Sequence, residues 1–201
     1  MNAAHLSLAE HAARLRRREL TAVALIDTCA QHHARMEPRL NAYKTWDGAR
    51  ARSAAAAVDT LLDQGQDLGP LMGLPVSVKD LYGVPGLPVF AGSDEALPEA
   101  WQAAGPLVAR LQRQLGIVVG KTHTVEFAFG GLGVNAHWGT PRNPWSPHEH
   151  RVPGGSSAGA GAAGVRRAGH GRRPARLPRQ RRVAGRPVRP HRHARAAGNR
   201  G

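Results

Sequence analysis

The sequence predicts an α/β domain. Three observations carry that reading. Segments with helical apolar spacing alternate with short apolar runs of strand length. Glycine and proline mark the breaks between them. The 41% apolar content of the 201 residues is enough for one core.

The elements follow in order. Ser7-Leu8-Ala9-Glu10 reads as a capping box, in which the serine oxygen accepts a backbone N–H three residues on and the glutamate reaches back. Leu8, Ala12 and Leu15 then fit one amphipathic helix. A second helix is expected from Thr21 to about Met36, with Val23, Ile26, Ala30 and His33 near one face and Pro38 beyond its end. Cys29, beside Leu25, Ile26 and Ala30, reads as a buried structural thiol. Leu40 to Trp46 suggests a short strand, and Asp47 to about Leu62 an alanine-rich helix. Gly65, Gly69 and Pro70 break the chain. Leu74 to Lys79 reads as a strand delivering a lysine at its end, followed by Asp80. Ala104 to Leu115 is expected to be helical, and Ile117 to Val119 a buried strand closing at Gly120-Lys121. Gly130 to Gly159 reads mostly as loop.

The net charge of +14 is unevenly placed. Residues 165–201 hold 13 arginines and neither lysine nor acid, which leaves 15 basic and 14 acidic side chains in residues 1–164. Two regions follow: 1–164, the folded body, and 165–201, an arginine-rich tail expected to be disordered because it cannot bury enough apolar surface. No apolar run reaches membrane-spanning length and no signal peptide is evident, so a cytoplasmic address and no membrane partner are expected. One cysteine excludes an intrachain disulfide. The histidine pairs His148/His150 and His191/His193 lack a second ligand pair, so neither metal nor cofactor is expected.

Two features bear chemistry. Gly154-Gly155-Ser156-Ser157-Ala158-Gly159 can present hydroxyls at an open turn, although such strings also serve as linkers. Lys79 could be a snorkelling side chain. Buried among apolar neighbours, it could instead lose its proton and act as a general base. Serine–lysine pairs are an established alternative to the Ser-His-Asp triad.

In this order, and with what lies between, these segments resemble the amidase signature family. The resemblance runs from about Leu6 to Ala163. It rests on Gly73-Leu74-Pro75-Val76-Ser77-Val78-Lys79-Asp80, on Gly120-Lys121-Thr122 with Glu126-Phe127-Ala128, on Asn135 with Gly139-Thr140-Pro141-Arg142-Asn143-Pro144-Trp145, and on Arg151-Val152-Pro153-Gly154-Gly155-Ser156-Ser157. It implies a mixed sheet covered by helices, here incomplete, and hydrolysis of an amide C–N bond in a small-molecule substrate. It further implies Lys79 as base and Ser156 as the serine held by a cis peptide bond, within the loop formed by Gly154, Gly155 and Ser157. His123 stands where asparagine is common in the family and is expected at a hydrogen-bonding surface position. Asp80, next to Lys79, is expected to tune charge or hold geometry. Trp138 and Trp145 are expected to pack against the core.

The nucleophile departs from the family pattern. The resemblance calls for a Gly-Thr-Asp-x-Gly-Gly-Ser segment about two dozen residues after Ser156, yet that distance lands on Gln180 and no serine follows Ser157. A lost reading frame accounts for the Arg/Pro/Ala/Gly/His texture. Read one base later, codons for Gly169–Arg172 permit Gly-Thr-Asp, although Pro174 and Ala175 permit neither Gly nor Ser. The polypeptide is therefore expected to be inactive on amides. Two other readings stay open. One is the amide-cleaving component of a glutamine-dependent amidotransferase, working with its partner subunits. The other is a non-enzymatic basic protein binding nucleic acid non-specifically through residues 165–201.

Overall fold

The computed structural model describes residues 6–130 and 133–142. Helix α1 (Leu8–Arg16) and helix α2 (Ala22–Leu40) lead into strand β1 (Tyr43–Trp46) and helix α3 (Gly48–Asp63). Strand β2 (Pro75–Lys79), helix α4 (Pro106–Arg113) and strand β3 (Ile117–Thr122) follow. Short 3₁₀ turns occupy Glu99–Trp101 and Glu126–Ala128.

The helix starts follow local chemistry. Ser7, Thr21 and Asp47 each accept a backbone N–H three residues on, from Glu10, Ala24 and Arg50, at 3.0–3.1 Å. The Glu10 carboxylate lies 3.7 Å from Arg14, one turn along. Asp59 of α3 accepts the N–H groups of Ala22 and Val23 at 2.7 and 3.0 Å, so a carboxylate from one helix satisfies the open N-terminus of its neighbour.

Two expectations need correction. Pro38 lies inside α2, not beyond it. A proline in the last turn forfeits only one backbone hydrogen bond, and Asn41, left-handed at φ 47°, closes the helix by donating its N–H to Glu37 O at 2.9 Å. The strand expected from Leu40 consequently starts at Tyr43. At the other end, β3 runs through Gly120 and Lys121 to Thr122.

The sheet order is β1-β3-β2, with β3 antiparallel to β1 and parallel to β2. Ile117 and Val119 of β3 pack with Leu25 and Ile26 of α2 and Ala55 and Val58 of α3. Val76, Val78 and Val118 face Val108 of α4. Helices therefore cover both faces, and the strand alternation assigns each side chain to one of them. Cys29 is buried, as expected, and burial pushes its thiol up to about 12.

Two glycines in the chemistry-bearing segments have packing reasons. A Cβ on Gly120 would run into the Thr45 carbonyl of the paired strand. Gly73, at φ +80°, turns the chain into β2 where a Cβ would press on Leu15 and Val58 at 3.2 Å.

Candidate active site

The chain has only three lysines, and each stands on a different strand: Lys44 on β1, Lys79 on β2 and Lys121 on β3. Register brings them together. Val78 and Lys79 pair with Lys121 and Thr122, while Tyr43 and Thr45, on either side of Lys44, pair with Thr122 and Lys121.

Lys79 is the last residue of β2 and is half-buried. Among the described residues its amine makes no hydrogen bond and no ion pair. The fully buried lysine is Lys121, at 0% exposure. Its amine lies 2.7 Å from Asp80 and donates to the Pro88 carbonyl at 2.8 Å. Burial lowers the Lys121 amine below the ordinary lysine range, against the opposing pull of Asp80. Asp80, 1% exposed, also accepts the Phe90 N–H at 3.2 and 3.5 Å. The Asp80 charge is thus taken by Lys121.

Lys44 sits on aromatic faces, 3.9 Å from the Phe90 ring centre and 3.4 Å from that of Trp138. Desolvation lowers its amine; Asp80 acts against this and Lys121 adds to it. His123, expected at the surface, is instead 3% exposed. Burial, then the Lys44 charge, push its imidazole down to about 4, so the ring is neutral near pH 7.

Asn135 organises the loop beside these residues. Its amide donates to Gly92 O at 2.6 Å and Thr124 O at 3.0 Å, and its oxygen accepts from the His137 and Trp138 N–H groups at 3.0 and 2.8 Å. Trp138 is half-buried; its indole N–H donates to Ser93 O at 2.6 Å and its ring meets Phe90 edge-to-face. Trp138 thus packs on Phe90 and Lys44 and is not among the residues of the hydrophobic clusters that the described residues form. Glu126 is exposed, 3.7 Å from His137.

Gly154, Gly155, Ser156 and Ser157 lie outside the described residues, as do Trp145 and the whole of residues 165–201. Of the sequence-predicted site residues the structure thus describes Lys79 alone. Lys44 and the burial of Lys121 were missed. The available signal was Lys121 directly after Ile117-Val118-Val119-Gly120, a placement that demands a buried counter-ion. No group of three or more His, Cys, Asp or Glu side chains among the described residues is arranged to hold a metal ion. No helix among them is long and apolar enough to cross a membrane.

Comparison with known proteins places these features in context. The profile of the family described as Amidase matches residues 24–168. The 2-amino-5-chloromuconic acid deaminase of Comamonas testosteroni is 99% identical over 163 residues, which are 81% of this chain and 35% of that protein. A glutamyl-tRNA(Gln) amidotransferase component from Chloroflexus aurantiacus is 35% identical over 159 residues, 79% of this chain and 32% of that one. Among solved structures, an amidase superposes with a TM-score of 0.71 at 35% identity, covering 79% of this chain and 36% of its own. A bacterial aryl acylamidase of the amidase signature family does so at 0.71 and 28% identity, covering 82% and 35%. The chain spans about a third of the length of these relatives.

Proposed function

This chain belongs to the amidase family, and from that premise we propose that Lys79 and Ser156 form the general-base side of a serine-dependent hydrolysis of a C–N bond. Gly154, Gly155 and Ser157, which adjoin Ser156 in sequence, are assigned to the same site. The observation that carries the proposal is the state of Lys79: a lysine at the end of a core strand, half-buried, whose neighbouring carboxylate is already occupied.

In this reading the neutral Lys79 amine takes the hydroxyl proton of Ser156. The Ser156 oxygen takes the proton of the nucleophilic serine, whose oxygen attacks the carbon bearing nitrogen. The proton returns along the same path to the departing nitrogen, which leaves as ammonia; water then adds to the serine-bound carbon, the serine oxygen leaves with the proton that water gives up, and the enzyme is regenerated. The proposed substrate is the one named for the 99% identical relative, 2-amino-5-chloromuconic acid, and the proposed address is cytoplasmic. The lower identity of the amidotransferase components, 35%, makes transfer with partner subunits the second reading.

The body at 1–164 and the tail at 165–201 are part of the same proposal. Support comes from the family profile, which stops at residue 168, and from the 163-residue length of the near-identical match. Because no serine follows Ser157, a polypeptide of these 201 residues supplies the base without the nucleophile. The thirteen arginines of the tail would bind phosphate polymers non-specifically, and deleting residues 165–201 removes that binding.

The test is ammonia release from 2-amino-5-chloromuconic acid. The 201-residue polypeptide is expected to release none. A chimaera joining residues 1–164 to the remainder of the Comamonas protein is expected to release it. Lys79-dependent turnover by the polypeptide alone, or an inactive but folded chimaera, overturns the proposal.

A further inference from the structure

We propose that Lys121 is a positioning residue for this chemistry: it holds the Asp80 carboxylate on the face of the sheet away from Lys79, and so keeps the Lys79 amine without a carboxylate partner. The inference rests on the reading of Lys79 as the base and concerns what keeps it available.

A Lys-Asp dipeptide at the position of a general base is a chemical problem. An amine paired with a carboxylate holds its proton more tightly, whereas a base has to start without it. The fold separates the two groups. Val76 and Val78 point into the cluster around α4, and Lys121 is the strand partner of Val78. Asp80, two residues on, continues that row, while alternation sends Lys79 to the other face with Ser77, whose hydroxyl lies 2.6 Å from that of Tyr43. Asp80 is then anchored twice. Its N–H donates to Thr122 O at 3.0 Å, and its carboxylate meets the Lys121 amine and the Phe90 N–H. Of the other cationic groups nearby, Lys44 is engaged by two aromatic rings and His123 is neutral, so Lys121 is the cation that meets Asp80 at ion-pair distance.

Trace labelling with acetic anhydride tests this on the intact 201-residue polypeptide. With only three lysines, mass spectrometry of the digest reads each amine separately. Lys121→Met leaves Asp80 without its cation, and its carboxylate can then turn toward the adjacent Lys79 as well as toward Lys44, whose amine already feels its charge. Labelling of Lys79 is expected to fall about tenfold, the effect of one unit of carboxylate stabilisation on the neutral amine. The double variant Asp80→Asn/Lys121→Met is expected to restore the wild-type rate, and Asp80→Asn alone to leave it unchanged. Loosened packing alone would open the site and speed the labelling of Lys79, whereas a carboxylate partner slows it, so the direction of the change separates a positioning role from a merely structural one.

An unchanged Lys79 rate in folded Lys121→Met overturns the proposal. So does faster labelling in Asp80→Asn, which would place the carboxylate on Lys79 already. If circular dichroism shows that Lys121→Met does not fold, the two variants lacking the Asp80 charge decide: any change of Lys79 labelling in either sinks the idea. Labelling reads the amine whether or not it takes part in catalysis, so this outcome is separate from any loss of ammonia release.

Discussion

Replacing Lys121 with methionine is the perturbation whose cost the structure defines most directly. Lys121 and Asp80 are 0% and 1% exposed and 2.7 Å apart, and the amine also donates to the Pro88 carbonyl. Methionine keeps the apolar stem but leaves a buried carboxylate that holds only the Phe90 N–H until it turns toward another amine. Breaking a buried pair from one side costs about 3–5 kcal/mol, because the other charge stays desolvated. Against a typical total of about 5–15 kcal/mol for a domain, that is a large share. Urea unfolding followed by tryptophan fluorescence measures it. The double variant Asp80→Asn/Lys121→Met should recover most of the loss, since no charge then remains buried. A loss below about 1 kcal/mol, the range of solvent-exposed pairs, would refute the reasoning. A double variant as unstable as the single would do the same.

Two other groups make separable predictions. The His123 imidazole is held down to about 4 by burial and by Lys44, below its unfolded value of about 6.5. Between these values the unfolded chain binds the extra proton, so stability falls as pH drops through that window, by up to about 3 kcal/mol. His123→Asn should remove that part of the slope, and an imidazole NMR titration midpoint near 6.5 in the folded protein would contradict it. The Cys29 thiol, raised to about 12 by burial, should resist a thiol reagent at about pH 8 until the chain unfolds; rapid stoichiometric modification of native protein would show the site open.

Local chemistry made much of this fold legible in the sequence. Ser7, Thr21 and Asp47 cap helices because a side-chain oxygen three residues before an N–H needs nothing distant. The strand ending at Lys79 declares itself by its apolar run and its glycine and proline flanks. What was not legible depends on contacts between segments far apart in sequence. Lys121 reads as the end of a strand because nothing near it names Asp80 as a partner. His123 reads as a surface residue because nothing near it in sequence foretells that its N–H meets the Ala42 carbonyl, that Lys44 comes close, or that the assembled fold buries it. Pro38 reads as a stop because proline breaks helix interiors, yet a last turn tolerates it. Ser156 is legible only through the glycine–serine pattern and the resemblance that pattern supports.

The most direct test of the central claim is the turnover number of the chimaera carrying Lys79→Met, measured as ammonia release from 2-amino-5-chloromuconic acid at saturating substrate. Loss of a general base predicts a fall in kcat of about 10²–10⁴-fold with KM little changed. A folded Lys79→Met chimaera that keeps its kcat would contradict the assignment of Lys79 as the base.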